Sequence, residues 1–515
     1  MGDRRALLAA IALSLAVAGV AQVPYLVAGG LAGEGSVFTG FLINPIDGFS
    51  YLAKMRQGAD GAWLFRLPYT AEPGPGALVF VYYLALGHLA GVVGAPLGAL
   101  YLLARFAGAV TMYVAAFLFL RRALGPGGPH WPAFLLTLIA SGLGWLASPF
   151  GLVTPDLWMP EVIPFLTAYT NAHFPVACAA ILVAIIAVMG GGSGRERLRF
   201  GVALVAGTVL GVVLPFVLIS VGGVLFLWLV WEKSRGESIR SRMVPFLGAM
   251  AGAAPWLAYD LWLSRSQPAI AGWTAQNQTP SPPPLEFAIA YGVILLLALL
   301  GAVRARPQGT SAGRLLMTWV FVNAFLLYAP FSLQRRLSLG LFIPLAALAA
   351  LGLHSLGGGA RIRRTALLGA LILSLPSNLI VIGAGLGGVA RGEPALVMTE
   401  GEAAAYAWAA THLPRNSLVL AGPTAGNRLP AFADVRVIYG HPFETPDAQA
   451  NLDLVERLYA GGMSRSEALR LLEDLGVSYA FYGPEERMLG SPDWLEAGDR
   501  VYEAEGVLIY EVIAP

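Results

Sequence analysis

The chain has 515 residues, of which 57% are hydrophobic and only 12% charged, about half the charged share of an ordinary soluble domain. A mean hydropathy of +0.66 excludes a soluble globular protein and indicates a polytopic membrane protein. The formal net charge of +2 gives no basis for binding nucleic acid, and the single cysteine, Cys178, excludes a disulfide framework or a thiol metal site.

Arg4 and Arg5 precede an apolar run over 7–29. Because many further spans follow, this reads as an uncleaved first span and not as a removable signal peptide. The segment NPIDGFSYLAKMRQG comes next and puts Asp47 just beyond that span, followed by Tyr51, Lys54 and Arg56. Helical spacing places Asp47, Tyr51 and Lys54 on neighbouring turns. A carboxylate at a membrane surface can take a proton from a hydroxyl or ligate a hard divalent cation. It can equally cap the helix that NPID opens, and the two roles are compatible.

Residues 76–97 are apolar but rich in glycine and carry His88, which suits a helix lying along the interface better than a span. Spans are expected near 98–120, 131–147, 170–190, 243–263, 285–303, 314–331, 338–355 and 365–388. The run 199–232 exceeds one span and breaks at Pro215 into two short helices. With 76–97 in the interface the count is about eleven, and every basic loop falls on the cytoplasmic side, as the positive-inside rule requires. The first outer loop then runs from about 30 to 97 and the second from about 148 to 169.

The second loop and the start of the next span supply Asp156, Glu161, Asn171 and His173. Ionisable groups at membrane depth are costly and usually face a cavity or a partner, although a single histidine is as readily a packing residue. A short turn between two late spans holds Gln334, Arg335 and Arg336 on the outer side, where the charge rule disfavours arginine. Guanidinium forks suit phosphate oxygens; snorkelling to lipid headgroups is the plainer alternative. Trp273, Gln276 and Asn277 lie in a further outer loop. No Walker A, GxGxxG, HExxH or GxSxG element is present. From about 391 to 515 the composition becomes that of a soluble α/β domain, after a membrane domain over 1–390.

This order of parts resembles the GT-C glycosyltransferases, the class of oligosaccharyltransferase catalytic subunits, protein O-mannosyltransferases and the aminoarabinose transferases of lipid A. IDGFSY, with Asp47, is similar to their first-loop acidic motif, and the stretch around Asp156 and Glu161 matches their second acidic loop in position, though not as a true DxD. The stretches TAGNRLPAFADVRVIYGHPFET and GVSYAFYGPEER resemble outer domains of bacterial relatives of the class. Two departures stand out. No WWDYG-type motif is present, which argues against transfer to an Asn-X-Ser/Thr site, and Asp47 is followed by Gly48 where the mannosyl and aminoarabinose enzymes usually carry an acidic pair.

The resemblance implies an α-helical polytopic protein of the plasma (inner) membrane with about eleven spans and a small extracytoplasmic α/β domain. It implies inverting transfer of a sugar from a polyprenyl-phosphate donor to a glycan, lipid or protein acceptor on the outer face, among membrane lipids. Asp47 would be the general base. Glu161, His173, Asn171, Tyr51, Arg56, Gln334, Arg335 and Arg336 would bind substrate, and Asp47, Asp156 and Glu161 are the candidates for holding Mg or Mn. The rival readings are a transporter or flippase for a lipid-linked glycan and a non-catalytic envelope assembly protein.

Overall fold

Most apolar runs form helices whose outward faces remain apolar. Leu296, Phe321 and Ile372 are each about two-thirds exposed on such helices, as side chains that face lipid are. In the computed structural model, which describes residues 3–190 and 194–512, five helices are long and apolar enough to cross a membrane. They are Asp3–Leu31, Leu97–Leu124, Val217–Ser234, Pro284–Arg304 and Gly359–Ala390. The pair His130–Ile139 and Gly144–Phe150, bent by 44°, makes a sixth if it counts as one broken span. Four apolar helices are shorter: Val81–Val93, His173–Met189, Ser311–Leu326 and Phe342–His354. The protein is thus a mainly helical, multi-pass membrane protein. Helices Glu196–Val213 and Val217–Ser234 meet at the break around Pro215, because proline cannot donate the backbone bond that would continue the first.

The chain divides into two compact units. The first comprises Met1–Pro24, Leu102–Asp260 and Gln278–Ala384. Within it, buried Glu232 accepts hydrogen bonds from Arg242, from Arg314 Nε (2.5 Å) and from Ser311 Oγ (2.6 Å). The basic segments around 242 and 314 therefore meet on one carboxylate, which agrees with the charge rule that assigns both to the same side of the membrane.

The second unit comprises Tyr25–Tyr101, Leu261–Asn277 and Gly385–Pro515. The soluble-looking C-terminal residues thus share a unit with the first loop. Strand β1 (Ser36–Phe38) pairs antiparallel with β2 (Val397–Thr399). The remaining strands, β3 (Ser417–Leu420), β4 (Val435–Val437), β5 (Tyr479–Tyr482), β6 (Asp499–Ala504) and β7 (Val507–Glu511), form a five-stranded sheet in the order β4-β3-β5-β7-β6. β3 is parallel to β4 and β5, and β7 is antiparallel to β5 and β6. Leu418, Leu420, Val455, Leu458, Tyr459 and Leu472 fill the core against it.

The first-loop helix, Pro45–Ala59, packs on Pro423–Phe432 and on Val81–Val93. The latter has 13 residues, too few for the ~20 that a span requires. A Cβ at Gly58 would meet the Leu84 carbonyl at 2.1 Å, and one at Gly87 the Met55 carbonyl at 1.9 Å. Only glycines allow these two backbones to approach so closely.

One ion pair fixes the register of this assembly. Lys54 Nζ donates to both carboxylate oxygens of Glu444, at 2.8 and 2.9 Å, and Ser50 Oγ donates to Oε1 at 2.7 Å. The two charged side chains are 1% and 11% exposed. The Lys54 ammonium also lies 4.2 Å from the centroid of the Phe80 ring, a cation–π contact made stronger by the loss of water. Burial lowers the Lys54 pKa. Burial also works against the Glu444 carboxylate, but the Lys54 ammonium, with the hydrogen bonds from Lys54 and Ser50, outweighs it and holds that carboxyl below its ordinary value.

Removing one partner of a buried pair strands the other charge, at a cost of about 3–5 kcal/mol. Glu444→Ala is therefore expected to lower the unfolding free energy of the full chain in detergent by that amount, and Lys54→Met with Glu444→Leu together by much less. Because the folded pKa of Glu444 is depressed, its contribution is present above the unfolded carboxyl's ordinary value and is lost as pH falls through the folded one. The stability gap between wild type and Glu444→Gln should accordingly narrow on acidification.

Candidate functional site

Asn44, in the left-handed conformation at φ 49°, occupies the N-cap of the first-loop helix, and Pro45 is its first residue. Asp47 is therefore not the N-cap. It stands in the first turn, where the helix dipole favours a negative charge. Its Oδ1 lies 3.2 Å from His441 Nε2.

The state of that imidazole follows from its other nitrogen. His441 Nδ1 accepts the backbone N–H groups of Phe443 (3.1 Å) and Glu444 (3.2 Å). A nitrogen that accepts carries no proton, so the proton is on Nε2 and is donated to Asp47. The turn that holds the ring is closed on itself. Thr445 Oγ1 accepts from the N–H groups of Gly440 (3.3 Å) and His441 (3.1 Å), and the Thr445 N–H donates to the His441 carbonyl (2.9 Å). Gln276 Nε2 braces it further by donating to the carbonyls of Phe443 (3.1 Å) and Thr445 (2.5 Å). Gln276 thus serves this turn. The His441 side chain is 3% exposed and that of Asp47 is 42% exposed, so a buried donor holds a carboxylate that solvent can reach.

Around this pair, Tyr69 is fully buried with its ring 6.0 Å from that of His441. Gly440 allows that approach, since a Cβ there would meet the Tyr69 ring at 2.4 Å. Asn427 Nδ2 donates to the Ile46 carbonyl (3.2 Å) and steadies the turn that carries Asp47. Tyr51 stacks on Tyr83 at 4.5 Å and lies 5.4 Å from the Lys54 ammonium. Arg56 is half-buried, and its Nε has no hydrogen-bond partner among the described residues.

The other expected residues lie in the first unit. Asp156 is buried, and its carboxylate accepts from the Gly144 N–H (3.0 Å) and from Thr154 Oγ1 (2.6 Å), which stabilises the turn at Gly144–Ala147. Glu161, Asn171 and His173 are all buried, and His173 opens the helix His173–Met189 with its ring 4.2 Å from that of Phe174. Arg105, not singled out by its sequence context, is fully buried and donates to the Tyr169 carbonyl (2.9 Å) and to Gln22 Oε1 (2.6 Å).

Gln334, Arg335 and Arg336 form a polar seam with residues 279–281. The Thr279 N–H donates to the Ser332 carbonyl (2.7 Å), the Arg335 N–H to the Thr279 carbonyl (3.2 Å), and the Ser281 N–H to Gln334 Oε1 (3.1 Å). The Arg335 guanidinium lies over Trp158 at 5.0 Å and that of Arg336 over Phe216 at 5.6 Å. Arg336 Nε, Thr279 Oγ1 and Ser281 Oγ are buried with no hydrogen-bond partner among the described residues. Buried donors left unmade cost about 1–3 kcal/mol each, and such a cluster beside guanidinium groups suits an anion.

No three or more His, Cys, Asp or Glu side chains are grouped to hold a metal ion among the described residues. Asp156 is occupied by Gly144 and Thr154, and both nitrogens of the imidazole beside Asp47 are already engaged. Of the residues expected to hold a divalent ion, Asp156 and Glu161 belong to the first unit and Asp47 to the second.

This arrangement sits on the fold of GT-C glycosyltransferases, which are the structural neighbours of the chain. The chain is similar to the archaeal oligosaccharyltransferase AglB from Archaeoglobus fulgidus in complex with an inhibitory peptide and a dolichol-phosphate, at 12% identity and a TM-score of 0.51, over 97% of this chain and 74% of that one. It is similar to ArnT from Cupriavidus metallidurans bound to undecaprenyl phosphate, at 14% identity and a TM-score of 0.54, over 97% of each chain. It is also similar to the arabinofuranosyltransferase AftD from Mycobacteria, at 16% identity and a TM-score of 0.56, over the whole of this chain but 40% of that one. No family model matches the sequence, and no curated protein matches it.

The tautomer of His441 can be read directly. In protein labelled with 15N at histidine, the His441 signal is expected to show a protonated Nε2 and an unprotonated Nδ1. A proton on Nδ1 would contradict the geometry.

Proposed function

We propose that the protein is an inverting glycosyltransferase of the inner membrane. It moves a sugar from a polyprenyl-phosphate donor to an acceptor hydroxyl on the outer face, with Asp47 as general base. The observation that carries this reading is the partly exposed Asp47 carboxylate held by the Nε2–H of buried His441. Lipid phosphates bound to two enzymes that share the fold support the choice of donor.

In this mechanism Asp47 takes the acceptor's proton as the hydroxyl oxygen bonds to the anomeric carbon. The bond from that carbon to the phosphate oxygen breaks, its electron pair leaves with the polyprenyl phosphate, and the configuration inverts. Asp47 later returns the proton to water. His441 cannot be the base, because its Nε2 already bears a proton and its Nδ1 accepts two backbone N–H groups. Its donated hydrogen bond orients the carboxylate.

The first unit is assigned the donor's phosphate, bound by Arg335, Arg336, Thr279 and Ser281, with Gln334 holding the seam in shape. Arginine there neutralises the leaving group as charge develops. Glu161, Asn171 and His173 orient the sugar, and Tyr51 and Arg56 contact the acceptor. No step is routed through a metal.

Asp47→Asn keeps the shape but removes the base, so transfer from a lipid-phosphate donor should fall about 10²–10⁴-fold with folding intact. Turnover near that of wild type in this variant would refute Asp47 as the base. Arg336→Ala should raise the donor KM roughly ten- to a hundredfold, from about 1.5–3 kcal/mol for a hydrogen bond to a charged group, without a comparable change in acceptor KM.

A further inference from the structure

A cavity of about 480 Å³ opens within the second unit, between the end of the first-loop helix and the β4 edge of the sheet. Its charged lining is Asp60, Asp434, Arg66 and Arg436, joined by Trp63 and Asn416. Its volume lies within the roughly 300–1,000 Å³ of small-ligand sites. The lining itself sets two carboxylates against two guanidinium groups, with Arg415 3.9 Å from Asp60 at its margin.

The cavity's aromatic wall is built in place. His88 stacks on the Trp63 indole at 4.1 Å and 21°, and its Nε2 donates to the Ala62 carbonyl at 3.0 Å, yet half of Trp63 stays exposed. Gln57 locks the loop below by donating to the Arg66 carbonyl (2.8 Å) and accepting from the Arg66 N–H (3.0 Å). Phe65 and Ala77 exchange two backbone bonds, at 2.8 and 2.9 Å. Across from it, Arg436 is pinned to the Asn416 and Ala71 carbonyls. Burial, and then the nearby Asp60 carboxylate, push the Asp434 carboxyl above its ordinary value. Two acids share the space without any cation site forming among the described residues.

An indole face beside planar carboxylate, amide and guanidinium groups is what a sugar ring needs: an apolar surface for its C–H face and forks for paired hydroxyls. A tryptophan placed for lipid contact alone would account for Trp63 but not for the balanced acid and base lining. We infer that this groove is a subsite for a neutral sugar residue of the acceptor, and that the acceptor is therefore a glycan. The assignment to the acceptor rests on the transferase reading; binding of a neutral saccharide does not.

The test uses full-length protein in a detergent without a sugar headgroup. Saturation-transfer-difference NMR and tryptophan fluorescence follow its titration with lactose, maltotriose, mannobiose and arabinobiose. At least one should bind saturably, with affinity falling tenfold or more in Trp63→Ala and in Asp434→Asn, both unfolding at the wild-type temperature. Asp47→Asn should bind as wild type. In transfer assays with a glycan acceptor, the two groove variants should raise the acceptor KM at least tenfold and leave kcat unchanged. Absence of saturable binding, or equal binding by both groove variants, overturns the subsite. Saccharide binding as expected with an unchanged acceptor KM overturns its assignment to the acceptor. If Asp47→Asn still transfers sugar at the wild-type rate while the binding results hold, the base is wrong and the subsite stands.

Discussion

The second unit depends on a charge pair that is almost wholly removed from water. Lys54 and Glu444 are 390 residues apart in sequence, and each would be costly to bury alone. Together with Ser50 and the face of Phe80 they form a satisfied cluster. A pair of apolar residues would fill the same space but would tolerate sliding. A lysine that must meet both oxygens of one carboxylate does not, which is the registry role best attested for buried ion pairs. The consequence is local and chemical. Glu444 lies three residues beyond His441 and donates its own N–H to the imidazole. The contact that fixes the first-loop helix therefore also holds the turn HPFET that presents the His441 ring to Asp47.

Much of this was legible in the residues alone. Hydropathy located the long apolar helices, Pro215 marked a break, and the glycine-rich run ending near 97 proved to contain a helix of 13 residues. Asp47 stood out because a carboxylate placed just beyond a first span is not what lipid solvation requires. Its partner did not stand out. One histidine in a turn carries no period and no spacing, and its meaning arises only when the chain closes over 394 residues. The same holds for Arg105, whose significance lies in its burial against the Tyr169 carbonyl and Gln22, and for Thr279 and Ser281, whose hydroxyls are buried with no hydrogen-bond partner among the described residues. Elsewhere local chemistry displaced the expectation. Asn44 took the left-handed cap position that Asp47 was a candidate to fill, and Asp156 was drawn into closing a turn at Gly144, where each of its oxygens accepts a hydrogen bond.

The fold shared with AglB, ArnT and AftD is established at 12–16% identity, which leaves sugar and acceptor to be read from this chain's own side chains. These divide by chemistry. The seam at 279–281 and 332–336 offers orphaned donors and guanidinium groups, suited to a phosphate. The pair Asp47 and His441 offers a held carboxylate, suited to a hydroxyl. The groove at Trp63 offers an amphipathic wall, suited to a sugar ring.

The central claim is that His441 acts through Asp47 and has no proton of its own to exchange. A double-mutant cycle on kcat for sugar transfer, using Asp47→Asn, His441→Ala and the combined variant, tests it most directly. If the claim holds, His441→Ala slows the wild-type enzyme but slows Asp47→Asn no further. If the two losses add in full, His441 contributes independently of the carboxylate and the account is wrong.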